Sequence, residues 1–168
     1  MKMHLITAGK SVQSKLLISL LNVQLHDLPI SSYIVFGNAL MTSCIRVILL
    51  AYNEADSIAP VLIRLKENLT NNQSNFRLYV VNDGSTDDTL SIVEKLSDEI
   101  PLTLLNHVTN MGVERAFDTG VREATRDSEN DDVIITMEAD GTSVPELVSV
   151  MSGKISHGYD IVCASRYC

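Results

Sequence analysis

The sequence predicts an α/β domain, a mostly parallel sheet sandwiched between helices. Three observations lead there. From Ile45 onward, short apolar runs alternate with longer stretches of helical periodicity, which is the pattern of βαβ units. The short runs are nearly continuous in apolar residues, as suits strands buried on both faces. A length of 168 residues with 45% apolar content is enough for one domain with a substantial core.

The elements follow in order. IRVILLA at 45–51, FRLYVV at 76–81, LTLLN at 102–106, VIITM at 133–137 and DIVCA at 160–164 are the expected strands. Between the first two, Ile58, Val61, Leu62, Leu65 and Leu69 recur at helical spacing, and Asn71 and Asn72 are expected to end that helix. A second helix carries Leu90, Ile92, Val93 and Leu96 behind Ser85–Asp88, whose short polar side chains can cap a first turn. The third places Val113, Ala116, Phe117, Gly120, Val121 and Ala124 on one stripe. Gly120 there costs about 1 kcal/mol of helix propensity against alanine, which points to close packing. Pro145 suits the first turn of a fourth helix running through Met151.

Charge divides the chain. Residues 1–44 hold Lys2, Lys10 and Lys15 against Asp27 alone, whereas the rest carries most of the acids behind a net charge of -8. Such a balance argues against a nucleic-acid partner, since phosphate backbones are held by clustered Lys and Arg. The apolar runs at 16–23 and 33–41 fall short of the ~20 residues that span a bilayer. The basic start faintly resembles a signal peptide but lacks a convincing small-residue cleavage site, so a cytoplasmic location, peripheral to the membrane face at most, is expected. Cys44, Cys163 and Cys168 have neither CxxC nor metal-ligand spacing, and an odd count builds no disulfide framework. His4, His26, His107 and His157 stand singly and read as surface or core-lining residues.

Open α/β sheets bind ligands outside the carboxyl ends of their strands. Here those ends are acidic and polar: AYNEAD at 51–56, NDGSTDDT at 82–89 and EADGT at 138–142. Asn53, Glu54, Asp83, Glu138 and Asp140 should converge on one crevice, where carboxylates repel unless a cation or hydrogen-bond donors sit among them. Each signal alone reads as ordinary turn and cap chemistry. Their order carries more. LLAYNEADSIAPVL, VVNDGSTDDT, NMGVERAFDTG, MEADGT and GYDIVCASRY resemble glycosyltransferase family 2, and within it the dolichyl-phosphate mannosyltransferase-like branch, over roughly residues 45–168.

The resemblance implies a GT-A fold, the three-layer α/β/α sandwich of nucleotide-diphospho-sugar transferases, with its C-terminal part missing. It implies that a UDP- or GDP-linked sugar is the donor, with Tyr52, Asn53, Glu54 and Asp83 lining the base and ribose pocket and Asp83 reaching the base edge. Gly84, Ser85, Asn110, Gly112 and Ala139 join the donor-binding set. Glu138 and Asp140 take the place of the DxD acids that bind Mg²⁺ or Mn²⁺, with Glu standing first as a departure from the usual pattern. Arg166 matches an arginine that could support phosphate or the carboxylate cluster, and a surface salt bridge serves it almost as well. Sugar transfer with inversion is the implied reaction. A polyprenyl phosphate or a saccharide would be the acceptor, and a membrane-associated partner chain is among the partners admitted.

Rival readings fare worse. EADGT resembles the DxDGT motif of haloacid-dehalogenase phosphatases, but Glu138 stands where that chemistry needs its Asp nucleophile. AYNEAD has no glycine-rich turn for a dinucleotide, and no P-loop is present. The alternative kept is a non-catalytic nucleotide-sugar-binding fragment, or one half of a split enzyme, because the acceptor side of the family follows the residue matching Arg166. Residues 45–168 are expected to form the compact unit. Residues 1–44 match nothing in the family and are expected to dock loosely as an added helix or a misassigned start.

Overall fold

A computed structural model describes residues 3–7 and 43–164. One six-stranded sheet organises them, in the order β4-β3-β2-β5-β1-β6. Its strands are β1 (Met3–Thr7), β2 (Ile45–Ala51), β3 (Phe76–Asp83), β4 (Leu102–His107), β5 (Val133–Glu138) and β6 (Cys163–Ala164). The helices are α1 (Ile58–Asn71), α2 (Thr89–Leu96), α3 (Val113–Thr125) and α4 (Leu147–Ser156).

The pairs β2–β3, β2–β5 and β3–β4 are parallel, whereas β1 runs antiparallel to both β5 and β6. Starting at β2, the chain moves outward through β3 and β4, then returns to lay β5 on the other side of β2. That reversal opens a crevice at the carboxyl ends of β2 and β5, where open sheets receive ligands.

Two apolar clusters give the three layers. On one face Val47, Leu49, Leu78, Val80, Ile135 and Met137 meet Ile58, Val61, Leu62, Leu65 and Leu69 of α1, Val93 of α2, and Val148, Met151 and Ile155 of α4. On the other, Ile48, Tyr79, Val81 and Ile134 meet Ala116 and Ala124 of α3. Period-two alternation along each strand supplies both faces. Gly120 lies on the buried stripe of α3, and a β-carbon there would stand 2.5 Å from Ile48 Cγ2 and 3.1 Å from Val81 Cγ2. Close packing is therefore what the glycine serves.

At the amino ends of the strands, away from the crevice, Arg46 is buried and fully paired. Its Nε donates to Asp132 Oδ2 at 2.7 Å, and Nη1 donates to Asp127 Oδ1 at 2.6 Å and to the Tyr79 hydroxyl at 2.9 Å. Asp132 also accepts the Cys44 N–H at 2.8 Å. Burial disfavours the charged guanidinium, but its bonds to Asp127 and Asp132 outweigh that and raise its pKa.

Several expectations change. The strand expected at 160–164 is confined to Cys163–Ala164. The helix expected to start at Pro145 starts at Leu147, with Glu146 as its N-cap and Pro145 in the preceding turn. Val113 is 73% exposed, because it opens α3 at the crevice rim, ahead of the turns that meet the sheet. Met3–Thr7, expected within a loosely docked extension, is hydrogen-bonded into the sheet. Among the described residues no helix is long and apolar enough to cross a membrane.

Candidate functional site

Strand ends and the loops after them build the site. A crevice of about 350 Å³ is lined by Leu50, Ala51, Tyr52 and Glu54 from the end of β2 and by Asp83 from the end of β3. Asn110, Gly112, Val113 and Ala116 close it from the start of α3, and Glu138, Ala139 and Asp140 from the end of β5. Of the residues singled out in the sequence, Tyr52, Glu54, Asp83, Asn110, Gly112, Glu138, Ala139 and Asp140 thus face one space. Arg166 lies outside the described residues.

Asn53, Gly84 and Ser85 are not among the residues that line this crevice. Asn53 sits at φ 55°, and its N–H donates to Ser85 Oγ at 2.9 Å while its Oδ1 accepts the Thr86 N–H at 2.8 Å. Asp87 Oδ2 accepts the Ala55 N–H at 3.1 Å, and Thr89 Oγ1 accepts the Glu54 N–H at 2.8 Å. These bonds zip the β2–α1 loop to the β3–α2 loop. The N-cap residue Asp88 makes no side-chain cap bond, and Asp87 Oδ1 takes the Thr89 N–H instead. Gly84, at φ 67°, presses on the loop before α3, where an added β-carbon would stand 2.2 Å from the Thr109 carbonyl carbon. No side chain fits there.

Asp83 is the most heavily engaged group. It is 4% exposed; Oδ1 accepts His107 Nδ1–H at 2.6 Å and the Met111 N–H at 2.9 Å, and Oδ2 accepts the Gly112 N–H at 2.8 Å. Burial alone would raise its pKa; the His107 bond and the two backbone amides outweigh it and lower the value, so Asp83 is an ionised acceptor. Because a carboxylate only accepts, the proton between the pair belongs to His107 Nδ1. His107 Nε2 lies 3.0 Å from Thr119 Oγ1. His107, read in the sequence as a surface or core-lining residue, is a largely buried ring that bridges Asp83 and Thr119. It stands opposite Asp83 in the β3–β4 register, a pairing that the sequence alone does not display.

The acids after β5 are more open. Asp140 Oδ1 accepts the Thr142 N–H at 2.9 Å, and the Thr142 hydroxyl lies 2.7 Å from Oδ1 and 3.0 Å from Oδ2, which fixes the turn. Glu138 is exposed, and its carboxylate pairs with no other described side chain. Ala139, buried between them, donates its N–H to the Leu50 carbonyl at 3.1 Å and locks this turn to β2. Across the crevice, the Glu54 carboxylate accepts the Ser57 hydroxyl.

The fold and its crevice define an α/β protein with an acidic crevice over the carboxyl ends of a parallel sheet, where open sheets receive ligands. The profile of Glycosyl transferase family 2 matches residues 46–168, and the chain belongs to that family. It is 32% identical over 127 residues to an uncharacterized glycosyltransferase of Synechocystis sp., covering 75% of this chain and 38% of the relative. It is 29% identical over 123 residues to the dolichol-phosphate mannosyltransferase of Pyrococcus furiosus, covering 73% and 33%. The crystal structure of residues 1–349 of S. aureus TarS superposes with a TM-score of 0.51 at 24% identity, over 68% of this chain and 32% of that one, and shares the fold. The chain spans about a third of the length of the curated relatives it matches.

Proposed function

We propose that this chain binds a nucleotide-diphosphate sugar in the crevice and forms the donor side of a glycosyltransferase. The observation that carries the reading is the convergence of Asp83, Asn110 and Gly112 with Glu138 and Asp140 around one space, on a chain of this family. Asp83 offers an ionised acceptor to the imino N–H of uracil or guanine. Tyr52, half exposed at the mouth, offers an aromatic face for the base. Gly112, at φ 86° with open space over its α-carbon, lets the donor approach the backbone at the start of α3.

Glu138 and Asp140 suit a hard cation of the Mg²⁺ or Mn²⁺ type, because both supply oxygen and both face the crevice. Among the described residues no three His, Cys, Asp or Glu side chains lie close enough to hold a metal by themselves. Two carboxylates would thus bind the cation only together with diphosphate oxygens and water. When bound, such a cation neutralises charge that develops on the departing nucleoside diphosphate.

An acceptor that is already an anion, such as a polyprenyl phosphate, needs no general base, and the name of the Pyrococcus relative falls in that class. The chain then works at the cytoplasmic membrane face, where such lipids and nucleotide sugars meet. Calorimetry with UDP- and GDP-linked sugars, with and without Mn²⁺, tests the donor reading. Binding should need the metal, and Asp140→Ala should weaken it. Metal-independent binding, equal in both proteins, would remove the metal role.

A further inference from the structure

The Asp83 carboxylate faces the crevice, yet most of its acceptor capacity points inward. A carboxylate has about four acceptor positions. His107, Met111 and Gly112 occupy three of them, two on Oδ1 and one on Oδ2. What remains is a single acceptor position on Oδ2. A group so committed reads a ligand through one fixed lone pair, and whatever fixes the carboxylate fixes the reading.

Two of its three partners are backbone amides of the loop that Asp83 itself holds, so loop and carboxylate could move together. His107 is the external reference. It stands on β4 directly opposite Asp83 in the parallel register, and its ring is tied at the far nitrogen to Thr119 on α3. Strand and helix thus clamp the imidazole from both ends, with its side chain 11% exposed. The nitrogen that donates is settled by the acceptor it meets: Nδ1 carries the proton toward Asp83, and Nε2 accepts a hydrogen bond from the Thr119 hydroxyl. Gly84, pressed on Thr109 and Asn110, holds the same loop from the other side.

We propose that His107 is a positioning residue for base selection, holding Asp83 so that its one remaining acceptor position meets a base carrying an imino N–H and not a base presenting an acceptor there. Uracil and guanine carry that hydrogen; cytosine and adenine place a bare ring nitrogen at the corresponding edge. A mismatched base leaves two acceptors facing each other, which costs more than the lost bond. The inference rests on the donor reading above and adds the residue that enforces its base preference.

Two substitutions separate positioning from packing. In asparagine the amide nitrogen stands as far along the side chain as Nδ1 does in histidine, whereas in glutamine it stands where Nε2 does. His107→Asn keeps the donor to Asp83, and His107→Gln keeps a group beside Thr119 but withdraws the donor. Affinities for UDP, GDP, CDP and ADP would be measured by calorimetry with Mn²⁺ on the full chain, alongside amide hydrogen exchange at Met111 and Gly112 without ligand. His107→Gln should bind the preferred imino-bearing nucleotide about tenfold more weakly, discriminate less against CDP and ADP, and exchange faster at both amides, while His107→Asn stays near the parent. If His107→Gln does not fold, Thr119→Val serves in its place, with a smaller loss of the same preference. Parent binding with unchanged base preference in every variant overturns the positioning role alone. A parent that binds none of the four nucleotides overturns the donor reading and this inference with it.

Discussion

Asp83 shows how a residue can be placed at a ligand crevice and still serve the fold. Its position after β3 was readable from sequence as a strand-end acid, but its three internal bonds were not, because two of the donors are backbone amides of a loop 28 and 29 residues away. Asp83→Asn should therefore cost stability as well as affinity, about 1–3 kcal/mol, since the new amide must present N–H groups to donors. The pH dependence has a definite sign. The folded-state pKa lies below the ordinary value, so the stabilisation is complete above the unfolded-state carboxyl pKa and is lost as pH falls through the folded one. Urea unfolding below about pH 4 should show the parent losing stability more steeply than Asp83→Asn. Parallel profiles would mean that the carboxylate contributes nothing to folding. Asn53 and Ser85 carry the same lesson: their residue types announced a loop, and only the fold shows that they bond to each other across two loops.

Helices and strands were the legible part, because periodicity reports which face is buried. All five apolar positions assigned to α1 are buried, and α1 ends at Asn71 as its asparagines indicated. Legibility failed where local pattern and tertiary setting diverge. Val113 continues the apolar stripe of α3, yet it sits in the first turn, which projects beyond the sheet edge toward the crevice. Pro145 had the right chemistry for a helix start but lies two residues before it. At Gly120 the local and tertiary terms oppose each other directly. Alanine would gain about 1 kcal/mol of helix propensity. Its methyl would also press on the β-branched Ile48 at 2.5 Å, and overpacking of that kind costs about 1–3 kcal/mol. Gly120→Ala should accordingly be destabilising on balance, as a lowered denaturation midpoint. A raised midpoint would show that α3 can lift away from the sheet without penalty.

Across the whole molecule, charge is divided between two ends of the sheet. The crevice end gathers acids with unfilled acceptor capacity, and the opposite end gathers Arg46, Asp127, Asp132 and Tyr79 into a satisfied network. Neither that network nor the sheet order could be read from the sequence, since Arg46 meets partners 81 and 86 residues distant. Arg46→Ala should cost about 3–5 kcal/mol, because it strands the buried Asp132 without its counter-charge. Chemical denaturation checks this, and Asp132→Asn in the same background should recover part of the loss. Nucleotide affinity should change little in the folded fraction, because the network lies at the far end of the strands.

The antiparallel strand β1 bears on how the protein behaves in company. Its residues precede the part of the chain matched by the family, yet they hydrogen-bond along β5 from Val133 to Thr136. Without them, β5 would show a row of unsatisfied N–H and C=O groups to any chain able to pair, and an open edge of that kind seeds self-association. Removing residues 1–44 should thus yield a protein that refolds with its crevice intact but forms dimers and larger particles in a concentration-dependent way by light scattering. The opening residues would then act as a solubility device, a cover strip over the sheet, and a monodisperse shortened protein would show that β5 finds its protection elsewhere.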